Sequence, residues 1–323
     1  MKLVVQIPCL NEEATLGEVL DSIPRQIDGF DSLEIVVIDD GSTDRTIEVA
    51  QAHGVDQIIR HRSTRGLAEA FRSGVDYALT HGADVLVNTD GDNQYPQADI
   101  PKLVAPIASG DADIVIGDRR THTIPHFSRG KKLLQKIGSH VVNRAAGTKI
   151  PDAASGFRAY SRTALLKLNV VTKFSYTMET IIQAGYKRLA IESVRVKTNP
   201  KTRDSRLFKS TPEHVMKSAA AIMRSFVMYK PYSFFGTLGA ALGIAGLIPF
   251  IRYVTISFLG LPGELIQSLL LGVSLLTASL LAFALGVIAD LIRINRQLIE
   301  DGLSLQKAHQ DVQSLSDNHR DRP

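Results

Sequence analysis

The chain has 323 residues, enough for two domains of ordinary size, and its 37 Lys and Arg residues against 33 Asp and Glu residues give a net charge of +4. This near balance excludes the strong overall charge of a general polyanion-binding protein. The single cysteine, Cys9, excludes an internal disulfide and a structural zinc site built from thiolates. Cys9 is expected to be a small buried hydrophobe in a reducing compartment.

From residue 1 to about residue 211, short runs rich in Val and Ile alternate with helical patterns. Continuous apolar strands separated by helices predict a parallel sheet covered on both faces, which is an α/β fold. In such sheets, ligands bind at the carboxyl ends of the strands. The predicted strands are 3–7, 33–39, 55–60, 84–89 and 113–117, and the predicted helices are 14–23, 43–53, 67–80, 100–109 and 131–146.

The residues that immediately follow the predicted strands are rich in carboxylates. Glu12 and Glu13 follow the first strand, Asp40 follows the second, and Asp90 and Asp92 follow the fourth. A cluster of carboxylates repels itself unless a cation or a donor-rich ligand neutralises it. The sequence therefore predicts that this edge of the sheet binds such a ligand.

The turn that holds Asp90 and Asp92 is the candidate metal site. Both carboxylates can face one ion, and Gln94 could add a neutral oxygen. Mg²⁺ and similar ions are commonly held by one or two carboxylates plus substrate phosphates. A solvated or capping turn is the alternative for any isolated D-x-D. Neither G-x-G-x-x-G nor G-x-x-x-x-G-K-[ST] is present, which excludes a dinucleotide-binding Rossmann site and a P-loop.

Two apolar runs, residues 231–251 and 265–289, are long enough to cross a membrane as helices. The short connector between them, which holds Arg252, would make them an antiparallel hairpin; two buried core helices are the alternative. Cations flank the hairpin on its outer sides, so the positive-inside rule predicts two spans with both termini cytoplasmic. No secretory signal is expected, because the apolar run 3–10 is too short. The flanking cations are Lys217, Arg224, Lys230, Arg293 and Arg296.

The segment 186–230 carries eleven Lys or Arg residues and three acidic residues, a local charge of +8. Each basic residue beside an anionic leaflet is worth about 1 kcal/mol. This segment is therefore expected to hold the preceding domain against an anionic membrane surface. Nucleic-acid binding is not expected, because the run lacks interleaved stacking residues and adjoins a membrane span.

The tail, residues 291–323, has a coiled-coil-like pattern, because Leu291, Leu298, Leu305 and Val312 recur every seven residues. One expectation is a homo-oligomer formed through the hairpin and the tail. The competing interpretation is an amphipathic helix that packs on the α/β domain of its own chain.

Three ordered motifs carry a family resemblance. They are Pro8 with Asn11-Glu12-Glu13, the run V-V-I-D-D-G-S-T-D at 36–44, and the run T-D-G-D-N-Q-Y-P at 89–96. Together they resemble the family 2 glycosyltransferases of the GT-A fold, in which a mostly parallel sheet is flanked by helices. The run D-A-A-S-G-F-R at 152–158 and the hairpin resemble the polyprenyl-phosphate glycosyltransferases, the group that includes dolichol-phosphate mannose synthase.

The resemblance implies a domain order and a set of site residues. The implied domains are a cytoplasmic catalytic domain at 1–211 (nucleotide-sugar half 1–118, acceptor half 119–211), a basic juxtamembrane segment at 212–230, a transmembrane hairpin at 231–290 and the tail at 291–323.

The implied ligands of a UDP- or GDP-sugar are Pro8, Leu10, Glu12, Asp40 and Asp90, and those of Mg²⁺ or Mn²⁺ are Asp90, Asp92 and Gln94. The implied catalytic residues are Asp92, Arg119, Asp152, Arg158 and Arg203, and the implied acceptor-phosphate ligands are Arg129, Ser155, Arg203, Ser205, Arg206 and Lys209. Position 10 is commonly aromatic in the family and is Leu here, which leaves an apolar wall in place of a stacking ring.

The resemblance implies inverting, metal-dependent transfer of a sugar to a membrane polyprenyl phosphate of the dolichyl or undecaprenyl type. Such a phosphate is largely ionised at neutral pH, since its second pKa is about 6, and its oxygen can attack directly. A general base is therefore optional; Asp152 is the candidate, and capping a helix or pairing with Arg158 is its alternative role. Processive polysaccharide synthases typically carry Q-x-x-R-W, which a chain without Trp lacks. A different acceptor, including a soluble one, and a catalytically silent nucleotide-binding scaffold stay open.

Overall fold

The computed structural model describes residues 1–121, 129–170, 176–200, 220, 223–224, 226–259 and 266–320. Within these ranges, residues 129–131, 134, 304 and 307–320 are described by their backbone alone. The chain forms two compact units, Met1–Ile222 with Glu300–Pro323, and Met223–Ile299.

The first unit is built around one sheet of seven strands: β1 (Lys2–Cys9), β2 (Ser32–Asp39), β3 (Gln57–Arg60), β4 (Val85–Asn88), β5 (Ile114–Asp118), β6 (Arg158–Ser161) and β7 (Ile191–Arg195). Their spatial order is β3-β2-β1-β4-β6-β5-β7. β1 pairs in parallel with β2 and β4, β2 with β3, and β5 with β7. Only β6, within the described sheet, runs antiparallel to its neighbours β4 and β5.

The five predicted strands are all present, and the mostly parallel sheet is confirmed. Within this sheet β6 runs antiparallel to both of its neighbours, which makes the sheet mixed. The four residues of β6, Arg-Ala-Tyr-Ser, contain no run of Val or Ile, so the apolar pattern did not predict a strand there. β7 was also missed, because no residue of this edge strand is fully buried and its sequence alternates weakly.

Helices cover the sheet because their apolar faces need a partner surface. Leu16 and Leu20 of the first helix pack in one cluster with Leu3, Val5 and Ile7 of β1. Burying each such side chain stabilises the fold by about 1.5–3 kcal/mol. The helices of this unit are α1 (Leu16–Ser22), α2 (Thr46–Ala52), α3 (Leu67–Thr80), α4 (Ile100–Ala108), α5 (Arg129–Ala146), α6 (Arg162–Lys167) and α7 (Tyr176–Tyr186).

Two long helices follow, α8 (Pro231–Phe258) and α9 (Ile266–Arg320). Both contain windows apolar enough to cross a membrane, with mean hydropathies of 1.9 and 2.3, and only 11% and 22% of those windows are buried. This exposure contradicts the alternative of two buried core helices, which would be covered by protein. Arg252 lies inside α8 and not in the connector, so that part of the prediction is wrong.

The second unit is a helical hairpin. Ser279 Oγ of α9 donates to the Gly239 carbonyl oxygen of α8 at 2.6 Å. Further along α8, a Cβ placed on Gly246 would lie 3.1 Å from the Gly272 carbonyl oxygen. Residues later in α8 thus meet residues earlier in α9, so the two helices are antiparallel, as predicted.

The helix α9 continues without a break into the tail. Glu300 is buried and pairs with Lys187 at 3.7 Å. Leu303 lines a cavity of about 310 Å³ together with Phe71 and Leu165. These contacts favour the interpretation of the tail as a helix that packs on the α/β domain of its own chain.

Candidate active site

The loops that follow β1, β2 and β4 are tied together at the carboxyl edge of the sheet. The Asn11 backbone N–H donates to Ser42 Oγ at 2.8 Å, and Thr15 Oγ1 donates to the Gly91 carbonyl oxygen at 2.7 Å. β1 lies between β2 and β4, so loops far apart in sequence form one continuous surface. The predicted acidic residues lie along this surface.

Asp90 and Asp92 are half-buried and interact electrostatically at the end of β4. Burial, and then the negative charge of Asp92, raises the pKa of Asp90 to about 7, and Arg119 acts in the opposite direction. Both causes disfavour the ionised form of Asp90, and the second of them is repulsion between the two carboxylates. A bound cation would relieve this repulsion.

The donor set at this turn fits a hard divalent cation. Across the described ranges, no three His, Cys, Asp or Glu side chains converge as a ready-made metal cage. Two carboxylates with open positions match an ion such as Mg²⁺, which keeps several waters and takes substrate phosphates as further ligands. Gln94 Nε2 donates to Asp92 Oδ2 at 2.7 Å, so this amide orients Asp92. Its role as a metal ligand stays a prediction.

Gly156 lies in a slot beside Asp90. Its backbone N–H donates to Tyr95 Oη at 3.1 Å, and its carbonyl oxygen accepts from Asn88 Nδ2 at 2.9 Å and from Tyr176 Oη at 3.3 Å. A Cβ at this position would lie 3.1 Å and 3.3 Å from the two carboxylate oxygens of Asp90. The segment 152–158 therefore needs glycine at this point to approach the acid pair.

Arg119 forms a two-pronged ion pair with Asp152. Its Nε donates to Asp152 Oδ2 at 2.7 Å, and one terminal nitrogen donates to Oδ1 at 3.0 Å. The guanidinium carbon lies 5.9 Å from the centre of the Tyr95 ring. The alternative pairing of Asp152 with Arg158 is wrong. Both oxygens of Asp152 are directed at Arg119, which indicates that Asp152 positions this cation next to the acid pair.

Arg158 is fully buried and holds together the backbone around the site. Its guanidinium donates to the carbonyl oxygens of Ser155 and Thr177 at 2.7 Å, to that of Ala153 at 2.9 Å, and to Thr180 Oγ1 at 2.9 Å. It thus joins the segment before β6 to α7. The Ser155 hydroxyl is buried without a hydrogen-bond partner among the described residues. The predicted catalytic role of Arg158 and acceptor-binding role of Ser155 stay predictions.

The predicted nucleotide side of the edge is formed by the end of β1 and the loop after it. Pro8 is buried, Leu10 is 37% exposed and Glu12 is buried. Glu12 Oε2 lies 3.3 Å from Thr15 Oγ1, and the Glu12 carbonyl oxygen accepts from the backbone N–H groups of Thr15 and Leu16 at 3.1 Å and 3.0 Å. Leu10 therefore offers an apolar surface at the edge, and Glu12 fixes its own loop.

Asp40 has its carboxylate directed at a neighbouring loop. Its Oδ1 accepts from the Arg65 backbone N–H at 2.9 Å and lies 2.7 Å from His61 Nδ1, while its Oδ2 accepts from the Gly66 backbone N–H at 2.8 Å. His61 Nε2 lies 2.9 Å from Ser73 Oγ. The role of Asp40 as a nucleotide ligand stays a prediction, and no sequence motif indicated this network.

Several predicted residues lie outside the described part of the chain. They are the side chain of Arg129 and the residues Arg203, Ser205, Arg206 and Lys209. Their proposed contacts with the acceptor stay predictions.

Sequence reasoning missed four side chains of the site. Tyr95 directly follows Gln94 in the third motif, and that position was a usable signal. Asn88 ends β4 two positions before Asp90, whereas Tyr176 and His61 lie in other elements that the strand order brings to the carboxyl edge.

The part of the chain that contains these residues is similar to known proteins. The model of glycosyl transferase family 2 matches residues 4–168. A dolichol-phosphate mannosyltransferase of Pyrococcus furiosus is 35% identical over 199 residues, which cover 58% of this chain and 54% of that protein. A UDP-N-acetylglucosamine--dolichyl-phosphate N-acetylglucosaminyltransferase of Methanococcus voltae is 27% identical over 215 residues, covering 59% and 83%. This chain thus spans about half the length of the Pyrococcus relative.

A solved structure shares the fold. It is glucosyl-3-phosphoglycerate synthase from Mycobacterium tuberculosis, in complex with Mn²⁺, uridine-diphosphate-glucose and phosphoglyceric acid. The TM-score is 0.55 at 23% identity, and the match covers 70% of this chain and 78% of that chain. At this identity the likeness shows the fold alone.

Proposed function

Because this chain belongs to glycosyl transferase family 2, we propose that it transfers a sugar from a nucleoside diphosphate sugar to a membrane polyprenyl phosphate, with inversion at the anomeric carbon. The observation that carries the proposal is the acid pair Asp90 and Asp92 beside Arg119, in a chain with two helices apolar enough to cross a membrane. The relatives from Pyrococcus and Methanococcus are named for different sugars and for the same kind of lipid acceptor. The lipid acceptor is therefore the better supported half of the proposal.

The donor would lie along the carboxyl edge of the sheet. Its diphosphate would meet Asp90 and Asp92 through Mg²⁺ or Mn²⁺, and its nucleoside would extend over Pro8 and Leu10 towards Asp40. When bound, the divalent ion supplies Lewis-acid neutralisation of the departing diphosphate. Gln94 keeps Asp92 in place through the hydrogen bond at 2.7 Å.

The acceptor phosphate brings its own nucleophile. One of its oxygens attacks the anomeric carbon, a new C1–O bond forms, and the bond from C1 to the diphosphate oxygen breaks with its electron pair going to the nucleoside diphosphate. A phosphate with a second pKa of about 6 is already largely ionised at neutral pH, so no side chain must remove a proton. Arg119 would attract the anionic oxygens, and Asp152 would hold its guanidinium in that orientation.

The test is direct transfer with the full chain in detergent. Given Mn²⁺ or Mg²⁺ and a panel of UDP- and GDP-sugars, the protein is expected to glycosylate a polyprenyl phosphate with one donor, and EDTA should remove the activity. Product is measured as radiolabelled sugar extracted with the lipid. Transfer to a free phosphorylated metabolite but not to the lipid would contradict the acceptor assignment, and full activity in EDTA would contradict the metal.

We expect Arg203→Ala to impair use of the lipid more than use of the donor. Arg203 lies in the basic segment 186–230, and we assign it to the acceptor phosphate. A hydrogen bond to a charged group is worth about 1.5–3 kcal/mol, so the KM for polyprenyl phosphate should rise by about tenfold or more. Steady-state kinetics with each substrate varied in turn measure the two KM values.

The matched control is Arg224→Ala, which removes the same side chain from the same basic segment nearer the membrane span. It should change both KM values by less than about twofold, since screened surface charges are worth little. Equal losses for lipid and nucleotide in Arg203→Ala would contradict the assignment of this arginine.

A further inference from the structure

We propose that His61 is a positioning residue for the donor nucleotide: acting through Asp40, it holds the loop 61–66 as the wall at the base end of the pocket. The inference rests on the proposed function, because it assigns a role in donor binding. It concerns a side chain and a loop that none of the sequence motifs includes.

The hydrogen bonds of His61 define a single arrangement. A carboxylate can only accept, so the nitrogen that faces Asp40 at 2.7 Å, Nδ1, carries the proton. In the neutral imidazole Nε2 is then the acceptor, and Ser73 Oγ donates to it over 2.9 Å. The imidazole is buried, and both of its nitrogens are satisfied. It therefore links Ser73 on α3 to Asp40 at the end of β2 in one fixed orientation.

Asp40 transmits this orientation to the backbone of the loop. Its two oxygens accept from the backbone N–H groups of Arg65 and Gly66 at 2.9 Å and 2.8 Å. Gly66 has a φ of 98° and directly precedes α3, so the carboxylate lies at the positive end of this helix. Four hydrogen bonds thus join β2, the loop and α3 into one rigid unit.

The loop packs directly on the turn after β2. A Cβ added to Gly41 would lie 3.1 Å from the carbonyl carbon of Ser63 and from the backbone nitrogen of Thr64. The outer residues of the loop, Ser63, Thr64 and Arg65, are exposed. The loop therefore forms a raised wall at the carboxyl edge of the sheet.

The order of the strands places this wall at the far end of the donor. The order is β3-β2-β1-β4, with the acid pair after β4 and the loop 61–66 after β3. Three strand spacings of about 4.8 Å separate these points, or about 14 Å. This distance is comparable to the length of a nucleoside joined to a phosphate. A donor whose diphosphate lies at Asp90 and Asp92 would therefore bring its base to the loop.

Three substitutions separate the positioning role from a packing role. His61→Leu removes both hydrogen bonds, Ser73→Ala removes the one to Nε2, and His61→Asn keeps a short donor towards Asp40. A net hydrogen bond is worth about 0.5–1.5 kcal/mol, so we expect the Kd for the nucleoside diphosphate to rise about tenfold in His61→Leu and about threefold in Ser73→Ala. His61→Asn should stay within about threefold of the unchanged protein.

The experiment is isothermal titration of the full chain in detergent with UDP and with GDP in the presence of Mn²⁺, alongside steady-state kinetics. The expected result is a higher KM for the donor, with kcat and the KM for polyprenyl phosphate unchanged. The matched control is His53→Asn, because His53 pairs with Asp21 at 2.8 Å on the surface, away from this edge. That variant should bind nucleotide normally.

Normal nucleotide binding by both His61→Leu and Ser73→Ala would overturn the inference. A fall in kcat together with a rise in the KM values of both substrates would also overturn it. If circular dichroism shows that His61→Leu is unfolded, Ser73→Ala decides. The proposed function can fail separately from this inference. If the unchanged protein binds a nucleoside diphosphate but transfers no sugar to lipid, the assignment of a lipid acceptor is contradicted. The role of His61 is then still tested by the binding measurements.

Discussion

Asp92→Asn is expected to lower kcat/KM by about 10³-fold, because charge stabilisation by a bound divalent ion is worth several kcal/mol. The side chain keeps its size and can still accept a hydrogen bond from Gln94, so the fold should persist. Single-turnover transfer and Mn²⁺ titration measure the loss of chemistry and of metal affinity. The control is Asp28→Asn, which neutralises an exposed acid in the segment before β2, at the opposite edge of the sheet.

The same acid pair predicts a pH dependence of metal binding. Burial and the charge of Asp92 raise the pKa of Asp90 to about 7, so a proton must leave before this carboxylate takes a cation. Mn²⁺ affinity should therefore rise between about pH 6 and pH 8. In Asp92→Asn the repulsion is gone, the pKa of Asp90 falls, and this rise should move to lower pH. Unchanged turnover in Asp92→Asn, or a pH-independent Mn²⁺ affinity in the native sequence, would contradict the site.

Gly156→Ala is expected to reduce kcat/KM by about 10²-fold through a single methyl group. The new Cβ would lie 3.1 Å from an Asp90 oxygen and 3.4 Å from Tyr176 Oη. Gly156 cannot retreat easily, because Tyr95, Asn88 and Tyr176 hold its backbone on both sides. The acid must move instead. Overpacking of this kind costs about 1–3 kcal/mol, which corresponds to about one to two powers of ten in rate if it falls on the acid pair.

Thermal unfolding, Mn²⁺ titration and transfer kinetics distinguish a displaced acid from a general loss of stability. Gly156 has no positive φ, so alanine adds only its side chain and no backbone strain. Gly302→Ala is the matched control, since a Cβ at that helical position meets no atom within 4 Å. Normal Mn²⁺ binding and normal sugar transfer by Gly156→Ala would show that close packing of residue 156 against Asp90 is not needed for activity.

The elements that sequence reasoning predicted well are those whose signal is local. The predicted strands β1 to β5 each contain a short apolar run, and α3 occupies 67–80 as its periodicity indicates. The strand β6 was missed because antiparallel pairing with β4 and β5 gives Arg158–Ser161 its conformation, and its own residues do not. Arg252 was placed in the connector because a charge normally ends an apolar run, but the helix continues past it to Phe258.

The site likewise contains residues that a local motif predicts and residues that only the tertiary structure brings together. Asp90, Asp92 and Gln94 stand within five residues of one another, so their common location could be predicted from a short motif. The pair Arg119–Asp152 joins residues 33 positions apart, and the expected partner of Asp152, Arg158, is instead buried on backbone carbonyl groups. Spacing along the chain does not choose between two arginines, because the choice depends on which one the sheet places beside the carboxylate.

The sequence by itself determined the alternation of strands and helices, the acidic strand ends and the two apolar helices, because hydropathy and residue type act over a few neighbouring positions. Only the tertiary structure decided that Gly156 faces Asp90, that Asp152 holds Arg119 and that His61 joins Ser73 to Asp40. These contacts depend on the strand order β3-β2-β1-β4-β6-β5-β7, which sets residues from distant parts of the chain at one edge. That order results from the packing of the whole sheet, and no single segment contains it.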